Sequence, residues 1–223
     1  MNVNNYPISI IDNFFDYPDD IVDYADTLVF TPTDDGRWPG RRTKQMWDVN
    51  PELFDYISRR VHLIFNENDG KTTIWRQMNF QSVSPFSDDQ YDCLNQGWIH
   101  IDNDALMGGI IFLNKYPKDD TGVTFYQKNI EWNMSVYEDN QIKMKHYNPE
   151  TQVDYDEYKH AFERNNSKFT ETITVKNVYN RLILFPACYP HSAQTYGKDQ
   201  NRLNLVMFIE AQQSMTPLYR SIR

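Results

Sequence analysis

The sequence is poor in cysteine and has neither a leader-like start nor a long apolar run. Its two cysteines among 223 residues, Cys93 and Cys188, are too few for the disulfide framework of a secreted domain. The opening segment MNVNNYPISIIDNFFDYPDD is polar and acidic, without the basic start and apolar stretch of a signal peptide. No window approaches the roughly 20 apolar residues that span a bilayer. We therefore expect a protein of the reducing cytoplasm with no membrane partner.

Basic residues are scarce relative to acidic ones, and this imbalance bears on the kind of partner. Lysine and arginine number 22 against 31 aspartates and glutamates, which gives a formal net charge of -9. Such a field repels a phosphate backbone, so nucleic acid is disfavoured unless a local basic patch exists. What the chain does have is an ordinary globular composition, 40% hydrophobic and 24% charged, with aromatics raised to 15%. A chain of this length typically forms one domain, which we place at residues 1–223.

The residue pattern changes near position 74 and divides the chain into a helical lead over residues 1–73 and a strand-rich core over 74–210. In the lead, DDIVDYADTLVF and PELFDYISRRVHLIF have apolar residues at helical spacing, and a Gly- and Pro-rich segment between them predicts a loop. In the core, short runs of β-branched and aromatic residues alternate with turn residues. These runs predict strands near 74–83, 97–101, 107–114, 122–127, 171–176, 181–186 and 202–210.

The order of these elements predicts a mainly β, α+β fold with helices on one flank. Short strands after a helical lead, without regular alternation of strand and helix, indicate an antiparallel double-sheet jelly roll, that is, a double-stranded β-helix. Residues 128–170 interrupt the strands with a polar segment too long for a simple connection. We expect this insert to act as a lid whose aromatic side chains pack over a ligand. It carries Trp132, Tyr137, Tyr147, Tyr155 and Tyr158, and residues 211–223 follow the core as a tail.

The chemically informative motif is WIHIDND, in which His100 and Asp102 stand one residue apart on a predicted strand. Side chains on a strand alternate between faces with a period of two, so both point to the same side and can bind one metal ion. A third ligand has to come from elsewhere, and His191 follows another apolar strand at a turn. Two imidazoles and one carboxylate on one face of an octahedron leave positions open for a keto acid and O2, as non-haem Fe(II) requires.

Arg202 supplies a matching site for a dicarboxylic co-substrate. It stands at the start of RLNLVMFIE, a predicted strand that runs back beside the metal. A guanidinium pairs bidentately with a carboxylate, so Arg202 can hold the distal carboxylate of a keto acid whose other end chelates iron. Asp104 satisfies the same alternation as Asp102, but a facial triad does not need it, and we expect it at the rim of the site.

Four blocks in this order, from about residue 74 to 210, resemble the 2-oxoglutarate/Fe(II) oxygenase family, in particular its prolyl-4-hydroxylase-like branch. They are the His100-Ile101-Asp102 triplet, GGIIFLNKYPKDDTGVTFY, RLILFPACYPHSA, and the basic Arg202 before a strand. The resemblance implies a double-stranded β-helix that uses Fe(II), 2-oxoglutarate and O2. It implies hydroxylation with release of succinate and CO2, stimulated by ascorbate. It also implies co-substrate contacts by Thr124 and by Asn204, which stands where several members carry serine.

Two departures from the family, Asn204 in place of serine and the residue at position 112, and several alternatives stay open at this point. Phe112 stands where some prolyl hydroxylases have a tyrosine that bonds the co-substrate, and phenylalanine has no hydroxyl to offer. The segment RWPGRRTKQMW either clamps an anionic or peptide substrate or is an ordinary solvated loop. The chain could also be a non-catalytic jelly-roll binding protein, or a cupin-like enzyme with another metal and no keto acid. For an oxygenase, we expect a peptide or protein segment as substrate, then a small polar molecule, with nucleic acid third.

Overall fold

The computed structural model describes residues 7–65, 73–102, 104–129 and 137–212. The helices are α1 (Pro18–Asp26), α2 (Met46–Val49), α3 (Pro51–Phe65), α4 (Tyr137–Tyr147) and α5 (Tyr155–Asn166), with a short 3-10 helix at Cys93–Asn95. The strands are β1 (Ser9–Ile11), β2 (Thr31–Pro32), β3 (Arg41–Arg42), β4 (Thr73–Val83), β5 (Met107–Phe112), β6 (Val123–Lys128), β7 (Phe169–Val175), β8 (Leu182–Pro186), β9 (His191–Ala193) and β10 (Arg202–Gln212). No helix within these ranges is long and apolar enough to cross a lipid bilayer.

Within the described ranges, the strands form two antiparallel sheets. The larger has seven strands in the order β1-β8-β5-β10-β4-β3-β2, and the smaller has three in the order β7-β6-β9. β10 lies at the centre of the larger sheet, where Leu205 pairs with Phe80 of β4 and with Ile111 of β5. The prediction of a mainly β fold with antiparallel sheets and flanking helices is therefore confirmed.

Strand β8 of the larger sheet is buried on both faces. Leu182 and Leu184 belong to an apolar cluster that also contains residues of α1 and α3. Ile183 and Phe185 point the other way and belong to a second cluster, shared with β6 of the smaller sheet. A strand buried on both faces requires a continuous apolar run, which explains the sequence LILFP. Helices thus cover one face of the larger sheet, and the smaller sheet covers part of the other.

Helix α3 begins and packs as its sequence predicts. Pro51 occupies the first helical position, where no backbone N–H is needed. The side chain of Asn50 accepts a hydrogen bond from the backbone N–H of Leu53 at 3.0 Å and so caps the helix. Ile57 and Val61, four residues apart on one helix face, are fully buried against the sheet cluster. The helical lead therefore supports the sheet from behind.

The described part of the insert, α4 and α5, packs as a supporting layer. Tyr158 is fully buried, and its hydroxyl accepts from the indole Nε1 of Trp98 at 2.8 Å. The amide of Asn165 donates to the carbonyl of Ile99 at 3.1 Å. These contacts hold the two residues that directly precede the candidate ligand His100. A lid role for the insert stays a prediction, and Trp132 lies outside the described residues.

Three local predictions differ from the structure. Residues 97–101 form only an isolated bridge between His100 and His191, because the backbone of the intervening Ile99 bonds to side chains of α5 instead of to a strand. The segment expected to be a loop contributes β2 and β3, with Arg41–Arg42 paired to β4. Helix α4 is absent from the prediction because YEDNQIKMKHY lacks an apolar stripe along one face.

Candidate active site

Three candidate metal ligands from two chain segments meet at one point. The backbones of His100 and His191 are hydrogen-bonded in both directions, at 3.0 and 2.9 Å, and the amide of Asp102 donates to Ala187 at 2.9 Å. His100 Nε2 lies 3.8 Å from Asp102 Oδ1, and His191 Nε2 lies 3.4 Å from Asp102 Oδ2. One ligand atom from each of the three residues lies within 4.8 Å of the others. The structure thus brings together the residues that the sequence nominates as a triad.

The second nitrogen of each imidazole is bonded to the main chain, which fixes the orientation of the ring. Nδ1 of His100 lies 2.8 Å from the carbonyl of Trp98, and Nδ1 of His191 lies 2.8 Å from the carbonyl of Tyr189. A carbonyl oxygen only accepts hydrogen bonds, so each Nδ1 carries the proton and each Nε2 presents its lone pair. Both Nε2 atoms face Asp102. This is the tautomer and direction in which histidine binds a metal ion.

Electrostatics keep His100 and Asp102 in the states that bind cations. Burial, followed by the neighbouring His191, lowers the pKa of His100 to about 4. Burial alone would raise the pKa of Asp102, but interactions with the neighbouring His191, His100 and Arg42 lower it to about 2. The imidazole of His100 is therefore neutral and the carboxylate ionised near neutral pH, as metal ligation requires.

The triad lies in the wall of a cavity of about 540 Å³. This volume is within the range of small-molecule sites. Its walls come from the inner face of the larger sheet, from β3 and the loop before it, and from α4. Ile110, Val206 and Phe208 make an apolar part of the wall. The polar and aromatic side chains of the wall include Trp38, Arg42, Arg76, Lys143 and Arg202.

Arg202 lines the same cavity and is almost fully buried, with 6% of its surface exposed. Its Nε donates to the carbonyl of Thr121 at 2.8 Å, and its guanidinium lies 5.5 Å from the centre of the Phe112 ring. Burial lowers its pKa to about 10, which leaves it charged at neutral pH. It has no carboxylate partner among the residues that the structure describes. A buried cation of this kind is stabilised by an anion in the cavity.

The two further residues implied by the resemblance are placed differently. Asn204 is fully buried beside Arg202. In the amide orientation that satisfies both its polar atoms, its oxygen accepts from Arg202 Nη1 at 3.0 Å and its nitrogen donates to a main-chain carbonyl at 3.1 Å. The hydroxyl of Thr124 lies 2.9 Å from that of Thr174 on β7, and the adjacent Val123 lines the cavity. A contact between Thr124 and a co-substrate stays a prediction.

Comparison with known proteins assigns the chain to a family. A family model described as a family of unknown function (DUF6445) matches residues 1–204, which is most of the chain. The chain belongs to the DUF6445 family. No curated protein matches this DUF6445 chain.

Solved structures share the fold of the DUF6445 chain. HygX from Streptomyces hygroscopicus, with nickel and 2-oxoglutarate bound, has a TM-score of 0.56 and 10% identity, covering 96% of this chain and 85% of that chain. A prolyl hydroxylase from Trichoplax adhaerens, in complex with a hypoxia inducible factor peptide fragment, has a TM-score of 0.53 and 13% identity, covering 94% and 85%. An oxidoreductase of the 2OG-Fe(II) oxygenase family from Burkholderia pseudomallei has a TM-score of 0.50 and 13% identity, covering 91% and 84%. At such low identity, the likeness establishes the fold alone.

Some residues of the DUF6445 site are not evident from the sequence. The sequence allows the segment that contains Trp38 and Arg42 to be either a substrate clamp or a solvated loop. The structure places Trp38 and Arg42 in the cavity wall. Lys143 has no sequence signal, because it lies on the helix that the polar pattern does not predict. Asp104 lies at the rim as predicted, in an ion pair with Arg76 at 3.3 Å and outside the ligand cluster.

Proposed function

We propose that this DUF6445 protein is a non-haem Fe(II)- and 2-oxoglutarate-dependent oxygenase that hydroxylates its substrate. The observation that carries the proposal is a single cavity that joins the His100, Asp102 and His191 cluster to the buried Arg202. Metal clusters and buried arginines each occur in proteins of many functions. Together they are complementary to a keto dicarboxylic acid, held by a metal at one end and a guanidinium at the other. The two facing sheets would then be the double-stranded β-helix that sets the distance between these ends.

The donor set of the cluster fits Fe(II). His100 and His191 offer imidazole nitrogens and Asp102 offers a carboxylate, the combination that leaves positions open for other ligands. When bound, the iron would supply the oxidation of a substrate C–H bond, with 2-oxoglutarate and O2 consumed and succinate and CO2 released. The residues of the chain hold the rings in their binding tautomer, orient both substrates and exclude water with the apolar part of the wall.

Arg202 would set the direction of the co-substrate. Its guanidinium has five N–H groups. Three of its nitrogens meet Thr121, Gly122 and Asn204, which fixes the plane of the group and leaves other N–H groups for a carboxylate. Phe112, at the position of a hydroxyl-bearing residue in some relatives, contributes its ring face to the guanidinium. We therefore assign the anchoring of the distal carboxylate to Arg202, with Asn204 as a positioning residue.

The class of substrate follows less directly. A prolyl-hydroxylase-like activity would act on a peptide, and the neighbour from Trichoplax adhaerens is bound to a peptide fragment. A cavity of about 540 Å³ with α4 in its wall also suits a small molecule. We propose that the substrate is one of these two, with nucleic acid disfavoured.

Turnover of 2-oxoglutarate tests the proposed activity. The purified chain with Fe(II), ascorbate, 2-oxoglutarate and air should release succinate slowly even without its prime substrate. Omission of Fe(II) should stop the release, and His191→Ala should stop it as well. A non-catalytic binding protein would release no succinate under any of these conditions. A cupin-like enzyme would bind metal but would show no interaction with the keto acid.

Replacement of Arg202 tests the co-substrate site separately from the metal. Arg202→Ala should weaken the binding of 2-oxoglutarate by about 2–5 kcal/mol, because a desolvated charge pair is lost. Arg202→Lys should bind 2-oxoglutarate with an affinity between those of the wild type and Arg202→Ala, since a single ammonium charge replaces the planar guanidinium. Calorimetric titration of the Mn(II)-loaded protein measures co-substrate affinity, and a prior Mn(II) titration shows whether the metal site is intact. Arg76→Ala is the control, because that arginine lines the cavity but is already paired with Asp104. Unchanged 2-oxoglutarate affinity in Arg202→Ala would refute the assignment.

A further inference from the structure

The cavity wall carries cations that the proposed oxygenase chemistry does not use. Besides Arg202, the basic residues of the wall are Arg37, Arg42, Arg76 and Lys143. Two of them are already paired, Arg37 with Asp35 at 2.6 Å and Arg76 with Asp104 at 3.3 Å. The other two have no carboxylate within ion-pair distance in the part of the chain that the structure describes. Arg42 and Lys143 are therefore the cations of this wall that can pair with a ligand.

Arg42 is held at the cavity by its strand and by an aromatic ring. It pairs with Gln81 in the β3–β4 ladder, and its guanidinium lies 4.5 Å from the centre of the Trp38 ring. Arg42 Nε and Trp38 Nε1 are both buried, and neither has a hydrogen-bond partner among the described residues. Buried donors without partners are rare in proteins because each one costs free energy. Two such donors on stacked side chains in one cavity wall indicate an acceptor supplied by a ligand.

Lys143 reaches the cavity from α4 and shares its electrostatic surroundings with Arg42. Both cations line the cavity whose wall contains Asp102, and the negative charge of Asp102 acts on both. Burial lowers the pKa of both, that of Arg42 to about 9. Asp102 is the carboxylate that both cations experience, and a metal ion bound to Asp102 would take up that negative charge. With the metal in place, both cations would therefore still need an anion.

We propose that Arg42 and Lys143, together with the indole of Trp38, bind an oxyanion of the substrate. The protein would then act on a small molecule that carries a carboxylate or a phosphate. This inference rests on the proposed function, in which Arg202 is occupied by 2-oxoglutarate. A planar guanidinium and an ammonium group in the wall of one cavity can both donate to the oxygens of either anion. An anion bound there would place the neighbouring C–H bonds of the substrate close to the metal-ligand cluster.

Paramagnetic relaxation of two probe anions tests this assignment. The whole chain is loaded with Mn(II) and saturated with 2-oxoglutarate, and the relaxation of inorganic phosphate and of acetate is measured by phosphorus and carbon NMR. Wild-type protein should bind at least one probe near the metal, and the preferred probe distinguishes phosphate from carboxylate. Arg42→Gln and Lys143→Gln should each weaken that probe at least about tenfold, because each removes a charge-assisted contact.

Two further variants make the test specific. Trp38→Phe should weaken the probe less than Arg42→Gln does, since the ring under the guanidinium remains and only the indole N–H is lost. Arg76→Gln removes a charge from the same wall but one that Asp104 already neutralises, so probe affinity should be unchanged. The Mn(II) affinity of every variant is measured in the same samples to show that the site is intact.

The outcomes against the inference are distinct. If Mn(II) and 2-oxoglutarate bind but neither probe is relaxed, the cavity has no second anion site, and the proposed function stands. If Arg42→Gln and Lys143→Gln no longer bind 2-oxoglutarate but still bind the probe anion, both cations bind the co-substrate and the inference is wrong. If wild-type protein binds no Mn(II), the proposed function fails, and this inference fails with it.

Discussion

At the scale of single residues, the main chain organises the candidate metal cluster. The Nδ1 atoms of His100 and His191 are bonded to carbonyls of their own segments, and the two residues exchange backbone hydrogen bonds. The amide of Asp102 is bonded to the backbone of Ala187. None of these contacts involves the carboxylate of Asp102. Loss of that carboxylate should therefore remove a metal ligand without removing the frame that holds the others.

Asp102→Ala should lose metal binding while its thermal unfolding stays close to that of the wild type. The site would keep two neutral imidazoles but no anionic donor, and the cations nearby would then oppose a divalent ion. Calorimetric titration with Mn(II) measures the first effect and a thermal scan the second. The matched control is Asp104→Ala, since Asp104 is a neighbouring aspartate whose side chain is 77% exposed and lies outside the cluster. Metal affinity equal to the wild type in Asp102→Ala would remove Asp102 from the ligand set.

The ligand candidates are predictable from the sequence, whereas of the two unpaired cations only Arg42 has a signal there, as one of two interpretations of its segment. His100 and Asp102 follow a period-two rule that depends only on extended backbone, and this rule holds although the strand is reduced to an isolated bridge. Arg42 and Lys143 reach the cavity because β3 joins the edge of β4 and α4 forms another part of the cavity wall. Such placements depend on tertiary packing between distant segments, for which a single sequence has no local signal.

At the scale of elements, the α5 helix supports the candidate metal cluster through the segment before His100. The Tyr158 hydroxyl is the partner of the Trp98 indole N–H, and both side chains are buried. Tyr158→Phe should lower the free energy of unfolding by about 1–3 kcal/mol, because it leaves that N–H buried without an acceptor. Urea unfolding measures the change. Tyr155→Phe removes an exposed hydroxyl from the same helix and should change the stability by less than about 0.5 kcal/mol. Equal effects of the two variants would contradict this role for Tyr158.

Helix α4 contributes a pH dependence through His146. Its ring packs 4.4 Å from Phe86 and 4.3 Å from Tyr158, and its Nε2 lies 2.8 Å from the carbonyl of Leu94. Burial lowers the pKa of His146 from 6.5 to about 4. The unfolded chain therefore takes up a proton first, so this contribution to stability is present above about pH 6.5 and is lost as the pH falls toward about 4.

His146→Gln should flatten part of this decline. Glutamine stays neutral and can still donate to the Leu94 carbonyl, so the effect isolates the titration from the hydrogen bond. Urea unfolding of the metal-free protein at a series of pH values through this window measures it. His160→Gln, an exposed histidine on the adjacent helix, should leave the pH profile unchanged. A profile that is identical in His146→Gln and the wild type would show that His146 does not titrate in this way.

The elements that the sequence predicts best are those whose pattern is local and strong. β8 and β10 lie close to their predicted ranges because their apolar runs are buried on both faces or alternate cleanly. The insert is harder, since its buried side chains, among them Tyr147, Tyr158 and Asn165, stand in an otherwise polar segment. His146, beside Lys145, has the sequence context of a solvated side chain, yet aromatic rings surround it. Its burial results from contacts with distant loops.

At the scale of the whole molecule, charge of opposite sign is segregated between the surface and the cavity. The formal net charge of the chain is -9, whereas the cavity wall contains five basic side chains and two acidic ones. One of the acidic side chains is the ligand candidate Asp102, and the other, Asp104, is already paired with Arg76. The outer field therefore repels large anions, while the cavity favours small ones that can enter it.

This segregation predicts that the protein discriminates between anions by size. Duplex DNA and single-stranded RNA should not bind at physiological salt, because a phosphate backbone needs a continuous basic stripe, and the unpaired cations here line a cavity of about 540 Å³. Fluorescence anisotropy with labelled oligonucleotides measures this, and inorganic phosphate in the same buffer is the positive control for a small anion. Any weak oligonucleotide binding at low salt should vanish as salt is added, since it would come from surface lysines alone. Tight oligonucleotide binding at physiological salt that Arg42→Gln abolishes would show that the cavity cations are accessible to a polymer, and the substrate would have to be sought among nucleic acids.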